Sequence, residues 1–293
     1  MAGTIVIRCW NWPPATRSSR PTRALKLNVK RGNLAKFEEG KIVPSQYRPF
    51  TRQWLYFDRV LNERVYQWPR ITGRVIWVKT GAEWPFFALA SGVICDRLPQ
   101  GGSQCFPLSH LKDSALVQFR QHYSNDSITK EDVFHYLYGL LHHPDYRARY
   151  AANLKRELPR IPFAPDFAAL AAAGRELAHL HVEYESLDPW PLEFVENKDV
   201  PYSERVTKMK LSADRLSLKV NESLTLAGIP AEAFEYRLGS RSALEWVVDQ
   251  YQVKGESDPN REDDPGYIVR LAGQVVRVSV ETARIVRALP SCR

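Results

Sequence analysis

Thr129, just ahead of the run KEDVFHYLYGLLHH, and Asp132 within it stand three residues apart, a short variant of the capping box that opens a helix. Val133, Phe134, Leu137, Leu140 and Leu141 then recur at helical spacing, so one stripe of that helix has to meet a core. Pro144 ends it. Asp145 is placed to cap a following helix, YRARYAANLKRELP, in which Tyr146, Tyr150 and Leu154 share a stripe before Pro159. A third segment, DFAALAAAGRELAHLHVEY, is alanine-rich and suited to close packing. Residues 111–185 are therefore expected to be helical.

On either side the period changes. WLYF, RVIWVKT, FFALA and GVICD are strand-sized, rich in β-branched and aromatic residues, and separated by Gly and Pro, so residues 46–110 read as sheet. After a loop-like LDPWPLEFVENKDVP, the segments RVTKMKL, RLSLKVN and SLTLAG alternate as strands do. Pro230 opens AEAFEYRLG with Gly239 as its C-terminal cap, and Ser242 with Glu245 makes a capping box on ALEWVVDQYQV. The closing YIVRLAGQVVRVSVETARIVRAL reads as helix, although its valines also suit a strand. The fold class expected is α+β, with mixed β-sheet regions flanking a central helical segment and residues 200–293 passing from β to helix. Residues 1–45 form a basic segment in which PPATRSSRPTR reads as loop, while RALKLNVKRGNLAKF fits an amphipathic helix or an exposed strand.

Charge is distributed unevenly. Residues 1–75 hold fifteen Lys and Arg against four acids, a balance of +11, which leaves −3 for the rest within a total of +8. Such asymmetry points to a polyanionic partner or to an acidic neighbour in a larger assembly. No apolar run approaches the length of a membrane span, and the N-terminus is a poor signal peptide, so a cytoplasmic protein is expected. Cys9, Cys95, Cys105 and Cys292 are far apart with no CxxC pair, which argues for reduced thiols rather than zinc or disulfides.

Catalytic signatures are absent from the sequence. No GxGxxG or GxxxxGK[ST] announces a phosphate-cradling turn. NWPP (Asn11 to Pro14) is superficially similar to the NPPY of amino-methyltransferases, but a tryptophan separates Asn from the prolines. Glu39 and Lys41 have the E-x-K spacing of some metal-dependent nucleases, yet the first Asp is Asp58, well downstream of where an acidic ligand is needed. His142 and His143 sit at a helix end, and His179 and His181 are too close to share a helical face, so neither pair reads as a metal site. No catalytic residue, metal or cofactor is expected.

Gln46 to Arg70 carries five arginines and seven aromatic rings, offset only by Asp58 and Glu63. Guanidinium forks grip phosphate or the guanine edge bidentately and rings stack on bases, so Arg48, Arg52, Arg59, Arg64, Trp54 and Tyr56 have the inventory of a nucleic-acid surface. Alternation in WLYFD sends either Trp54 and Tyr56 or Leu55 and Phe57 into a core; the arginines are the expected ligands and the rings the expected packing.

The blocks YRPFTRQWLYFDRVLNERVYQWPR, SQCFPL, ITKEDVFHYLYGLLHHPDYRARYAANLKRELPRIPF, GRELAHLHVEYE and GSRSALEWVVDQYQVK, in that order, resemble the C-terminal specificity region of type ISP restriction-modification enzymes. The resemblance covers about Tyr47 to Pro290; residues 1–40 match far less. In that family one polypeptide carries a nuclease, a helicase-like motor, an adenine methyltransferase and a terminal target recognition domain. The resemblance implies the last of these, residues 46–293, binding specific double-stranded DNA without nuclease, motor or methyltransferase motifs of its own. It also implies methyltransferase, helicase or nuclease domains of the same system as partners. Arg74, Lys79, Lys208 and Lys210 join the expected contacts, since alternation in RVTKMKL places the two lysines on one strand face. The YRPF block has the alternative role of bracing a domain junction, and the whole chain that of a protein-interaction module.

Overall fold

The computed structural model describes residues 23–33, 36–58, 60–61, 73–81, 85–96 and 103–291. Helix α1 (Arg23–Lys30) resolves the choice left open for the basic segment. Strands β1 (Ile42–Arg48), β2 (Thr51–Tyr56), β3 (Val75–Lys79), β4 (Phe87–Ser91), β5 (Ile94–Cys95) and β6 (Ser103–Pro107) follow. The middle holds α2 (Asp113–Tyr123), α3 (Lys130–His142), α4 (Pro144–Arg149), α5 (Ala151–Leu154) and α6 (Phe167–Val182). Then come β7 (Glu193–Glu196), β8 (Lys210–Leu211), β9 (Ser217–Lys219), β10 (Leu224–Ala227), β11 (Arg237–Leu238) and β12 (Arg241–Ser242), closed by α7 (Ala243–Gln250) and α8 (Tyr267–Arg287). The fold is α+β.

Strand β3 lies between β4 and β6, antiparallel to both, and all five of its residues are buried. Alternation sends Val75 and Trp77, with Phe87 and Leu89 of β4, into one hydrophobic cluster, and Ile76 and Val78, with Ala88 and Ala90, into another. The apolar run VIWVK is continuous because this sheet is covered on both faces. The first cluster is completed by Leu218 and Leu226 of the sheet β7-β10-β9-β8 and by α7 and α8; the second is built on α3 and α6.

Helices α3 and α6 touch through two glycines. A Cβ added to Gly174 would stand 1.8 Å from the backbone carbonyl oxygen of His135, and one added to Gly139 would stand 2.3 Å from that of Leu170. The alanine-rich reading of α6 thus understated the approach, which depends on having no side chain at all.

A buried polar relay crosses the same region. The Ala90 N–H donates to the Tyr138 hydroxyl (2.7 Å), which donates to His181 Nδ1 (2.5 Å), leaving Nε2–H to donate to Thr282 Oγ1 (2.8 Å). The His142 Nδ1–H donates to the Tyr138 carbonyl at 2.9 Å, and the His181 ring stacks on Tyr236 with centroids 4.8 Å apart. Burial pushes the His142 imidazole down to about 3 and holds His181 well below the usual range. Both histidines are buried in the core, so the helix-end reading of His142 gives way to a packing role.

Both capping boxes form, at Thr129/Asp132 and at Ser242/Glu245. Other local expectations fail for tertiary reasons. His143, not Asp145, caps α4: its Nδ1 accepts from the Asp145 N–H at 3.1 Å while its Nε2–H donates to the Pro290 carbonyl. Gly239, at φ +72°, turns the β11–β12 hairpin instead of ending a helix, and the helical piece before it is a single 3-10 turn, Ala231–Phe234. The loop-like segment contains β7, recruited by pairing with β10, whereas only Lys210–Leu211 of RVTKMKL is strand.

Candidate nucleic-acid interface

The β1–β2 hairpin is anchored by its turn. Phe50, in the left-handed region at φ +54°, is fully buried and packs edge-on against Tyr184 (5.1 Å) and Tyr236 (6.3 Å). An aromatic residue held at positive φ is a strained choice, here maintained by the burial of its ring. The hairpin's other end leads away from this plug. There Trp54, opposite Pro44, is 61% exposed, and Tyr56, opposite Ile42, stacks on the exposed Phe37 ring at 5.6 Å. The Tyr56 hydroxyl donates to the Lys36 carbonyl and accepts from the Glu38 N–H. Expecting these rings in a core overlooked that β2 is an edge strand.

The arginines near the plug are engaged within the protein. Arg48 donates to Asp96 at 2.6 Å and lies over the Tyr47 ring; only 12% of its side chain is exposed. Arg52 donates to Glu185 at 2.8 Å and to the Val182 carbonyl at 2.6 Å, with its guanidinium 4.8 Å above the Tyr184 ring. Glu185 also accepts from the Tyr267 hydroxyl, so Arg52 ties the hairpin to the end of α6 and to α8. Arg52→Ala is expected to destabilise the fold by about 1–3 kcal/mol, because Glu185 is left partly buried with less compensation. A urea titration reads this as a lower midpoint.

The remaining sequence nominees scatter. Lys79 is 3% exposed, because β3 is enclosed on both faces rather than one. Arg74 donates to His135 Nε2 at 3.3 Å and has Glu131 at 3.9 Å. Arg59 and Arg64 lie outside the described residues. Lys208 and Lys210 are exposed on either side of the buried Met209, but Lys208 precedes the strand and lines a groove with Glu245, Val248 and Asp249 of α7. Lys219, which the sequence did not single out, lies directly across from Lys210 on β9.

At the E-x-K, the fold brings Asp58 to Lys41, but as an ion pair. Lys41 Nζ donates to Asp58 and Glu38, 2.7 Å each, which raises its pKa and lowers that of Asp58. Among the described residues no group of three or more His, Cys, Asp or Glu is arranged to hold a metal ion. No described helix is long and apolar enough to cross a membrane.

Residues 13–277 match the family model of the Type ISP C-terminal specificity domain. The chain belongs to that family. The specificity domain is also similar to solved structures of larger enzymes. The cryo-EM structure of a DrdV–DNA complex is 36% identical with a TM-score of 0.83, matched over 93% of this chain and 31% of that one. The ATP-dependent Type ISP restriction-modification enzyme LlaBIII bound to DNA is 26% identical with a TM-score of 0.80, over 93% and 20%. A nuclease-deletion mutant of the Type ISP enzyme LlaGI, in complex with a DNA substrate mimic, is 34% identical with a TM-score of 0.79, over 93% and 27%. The specificity domain thus spans about a third or less of the length of these enzymes. A search of curated proteins returned no match.

Proposed function

We propose that this specificity domain reads a duplex DNA target as the recognition module of a cytoplasmic Type ISP restriction-modification system, with cleavage, translocation and methyl transfer carried out by other domains. The observation that carries the reading is the likeness, over 93% of the chain, to three enzymes whose structures contain DNA or its mimic. In this reading exposed lysines and arginines bind phosphates and set register, while a few side chains in the major groove discriminate bases by about 1–3 kcal/mol per bidentate pair. Lys208, Lys210, Arg59, Arg64 and Arg74 are the candidate contacts. Arg48, Arg52 and Lys79 serve the surface indirectly, since their charges are spent or enclosed inside the free domain.

The exposed rings of Phe37 and Trp54 favour a second contact, with a methyltransferase, helicase or nuclease portion of the same system. Binding to pools of duplex DNA over a salt series separates reading from docking. DNA reading gives an enriched sequence and an affinity that falls about 10³–10⁵-fold between 50 and 200 mM salt if six to ten phosphates are contacted. Weak, sequence-blind binding would leave docking as the domain's only role.

A further inference from the structure

Over β8, β9 and β10 the sheet β7-β10-β9-β8 has one dry face and one wet one. Leu211, Leu218 and Leu226 stand in register across β8, β9 and β10, and the last two are completely buried. One residue along, the register runs Lys210, Lys219, Thr225, Val195 across all four strands, and alternation turns that row outward. Lys210 and Lys219 are both exposed and directly opposed.

Like charges placed directly opposite on antiparallel strands cost stability. Elsewhere in this half of the molecule arginines have acids: Arg215 meets Glu245 and Arg241 meets Asp249, each at 2.8 Å. No ion pair among the described residues includes Lys208, Lys210 or Lys219. The backbone beneath them is nonetheless fixed. Gln252 Nε2–H donates to the Met209 carbonyl at 2.9 Å, and the Val253 N–H donates to the Thr207 carbonyl at 3.2 Å. At the opposite margin of the sheet, Glu193 of β7, two residues from Val195 and so on the same face by alternation, is exposed. The lysine face thus carries cations at β8 and β9 and a carboxylate at β7.

We infer that Lys210 and Lys219 form a phosphate clamp that grips the DNA backbone; this rests on the DNA-reading function proposed above. Opposed residues of an antiparallel pair have Cβ atoms about 4.5–5.5 Å apart, so two flexible lysine stems can converge on one phosphate or straddle neighbouring ones. Ammonium groups are compact point charges without the forked geometry that reads a base. The clamp fixes position and leaves sequence to other side chains. An anion between the lysines also relieves the repulsion that the free sheet sustains.

The test compares the full chain with Lys210→Gln/Lys219→Gln and with Lys219→Glu, by duplex binding over a salt series and by thermal unfolding. Neutralising both lysines is expected to lower the slope of log affinity against log salt by about two. It should weaken binding by a similar factor on every sequence and leave the melting midpoint unchanged or raised. Lys219→Glu should weaken binding further while raising the midpoint, because it turns repulsion into a cross-strand pair. If the unsubstituted chain binds a preferred sequence but the double variant keeps its salt slope, the clamp is wrong and DNA reading stands. A loss confined to one sequence, or a lowered midpoint, overturns the clamp as well. Failure of the unsubstituted chain to prefer any sequence removes the underlying reading and the clamp with it.

Discussion

Gly174→Ala is expected to destabilise the protein by on the order of 3 kcal/mol or more, measured as a lower midpoint in urea with an unchanged slope. In an exposed helix the same change stabilises by about 1 kcal/mol, because alanine is the better helix former. The sign reverses here because the new methyl group would sit 1.8 Å from the His135 carbonyl oxygen, well inside contact distance. That oxygen belongs to helical backbone, so relief requires moving α3 away from α6. Separation would open the cluster containing Leu140, Leu170 and Leu177, all essentially buried, and would pull on the Tyr138–His181 hydrogen bond that joins the two helices. Gly139→Ala meets the Leu170 carbonyl at 2.3 Å and should behave in the same direction with a smaller loss.

Acid should begin to destabilise the fold before carboxylates protonate. Burial, and then the neighbouring Arg147 charge, depress the His142 pKa to about 3; the same causes, together with His142, hold His181 well below normal. Between the folded and unfolded pKa values the unfolded chain binds more protons, so stability is complete above about pH 6.5 and declines as pH falls toward 3. At about 1.4 kcal/mol per unit, His142 alone accounts for roughly 4–5 kcal/mol across that window. Urea midpoints measured from pH 7 to 4.5 should fall steadily. A flat profile over that range would show that the imidazoles are not held neutral. Asp58, whose carboxylate is lowered chiefly by Lys41, adds its loss at lower pH and does not blur the result.

The elements that sequence revealed are those whose signals are local. Thr129 with Asp132 and Ser242 with Glu245 close their capping boxes within three residues, so spacing alone exposes them. The run VIWVK likewise announces a strand, but not that both its faces are covered, which encloses Lys79 instead of presenting it to a ligand. What escaped reading depends on partners far along the chain. Arg48 and Arg52 find Asp96 and Glu185, 48 and 133 residues away, and so become braces. Strand β7 exists through β10, and His143 caps α4 with its ring oriented by Pro290. For Lys210, alternation indicates a strand face, while its opposition to Lys219 appears only with the β8–β9 register.

Trp77 and Val78 are consecutive residues of one strand, yet each belongs to a different interior. A shared wall of this kind couples the two interiors among the described residues, since emptying either one strips the cover from the other. Heat is therefore expected to melt the helical half and the lysine-bearing half in one transition rather than two.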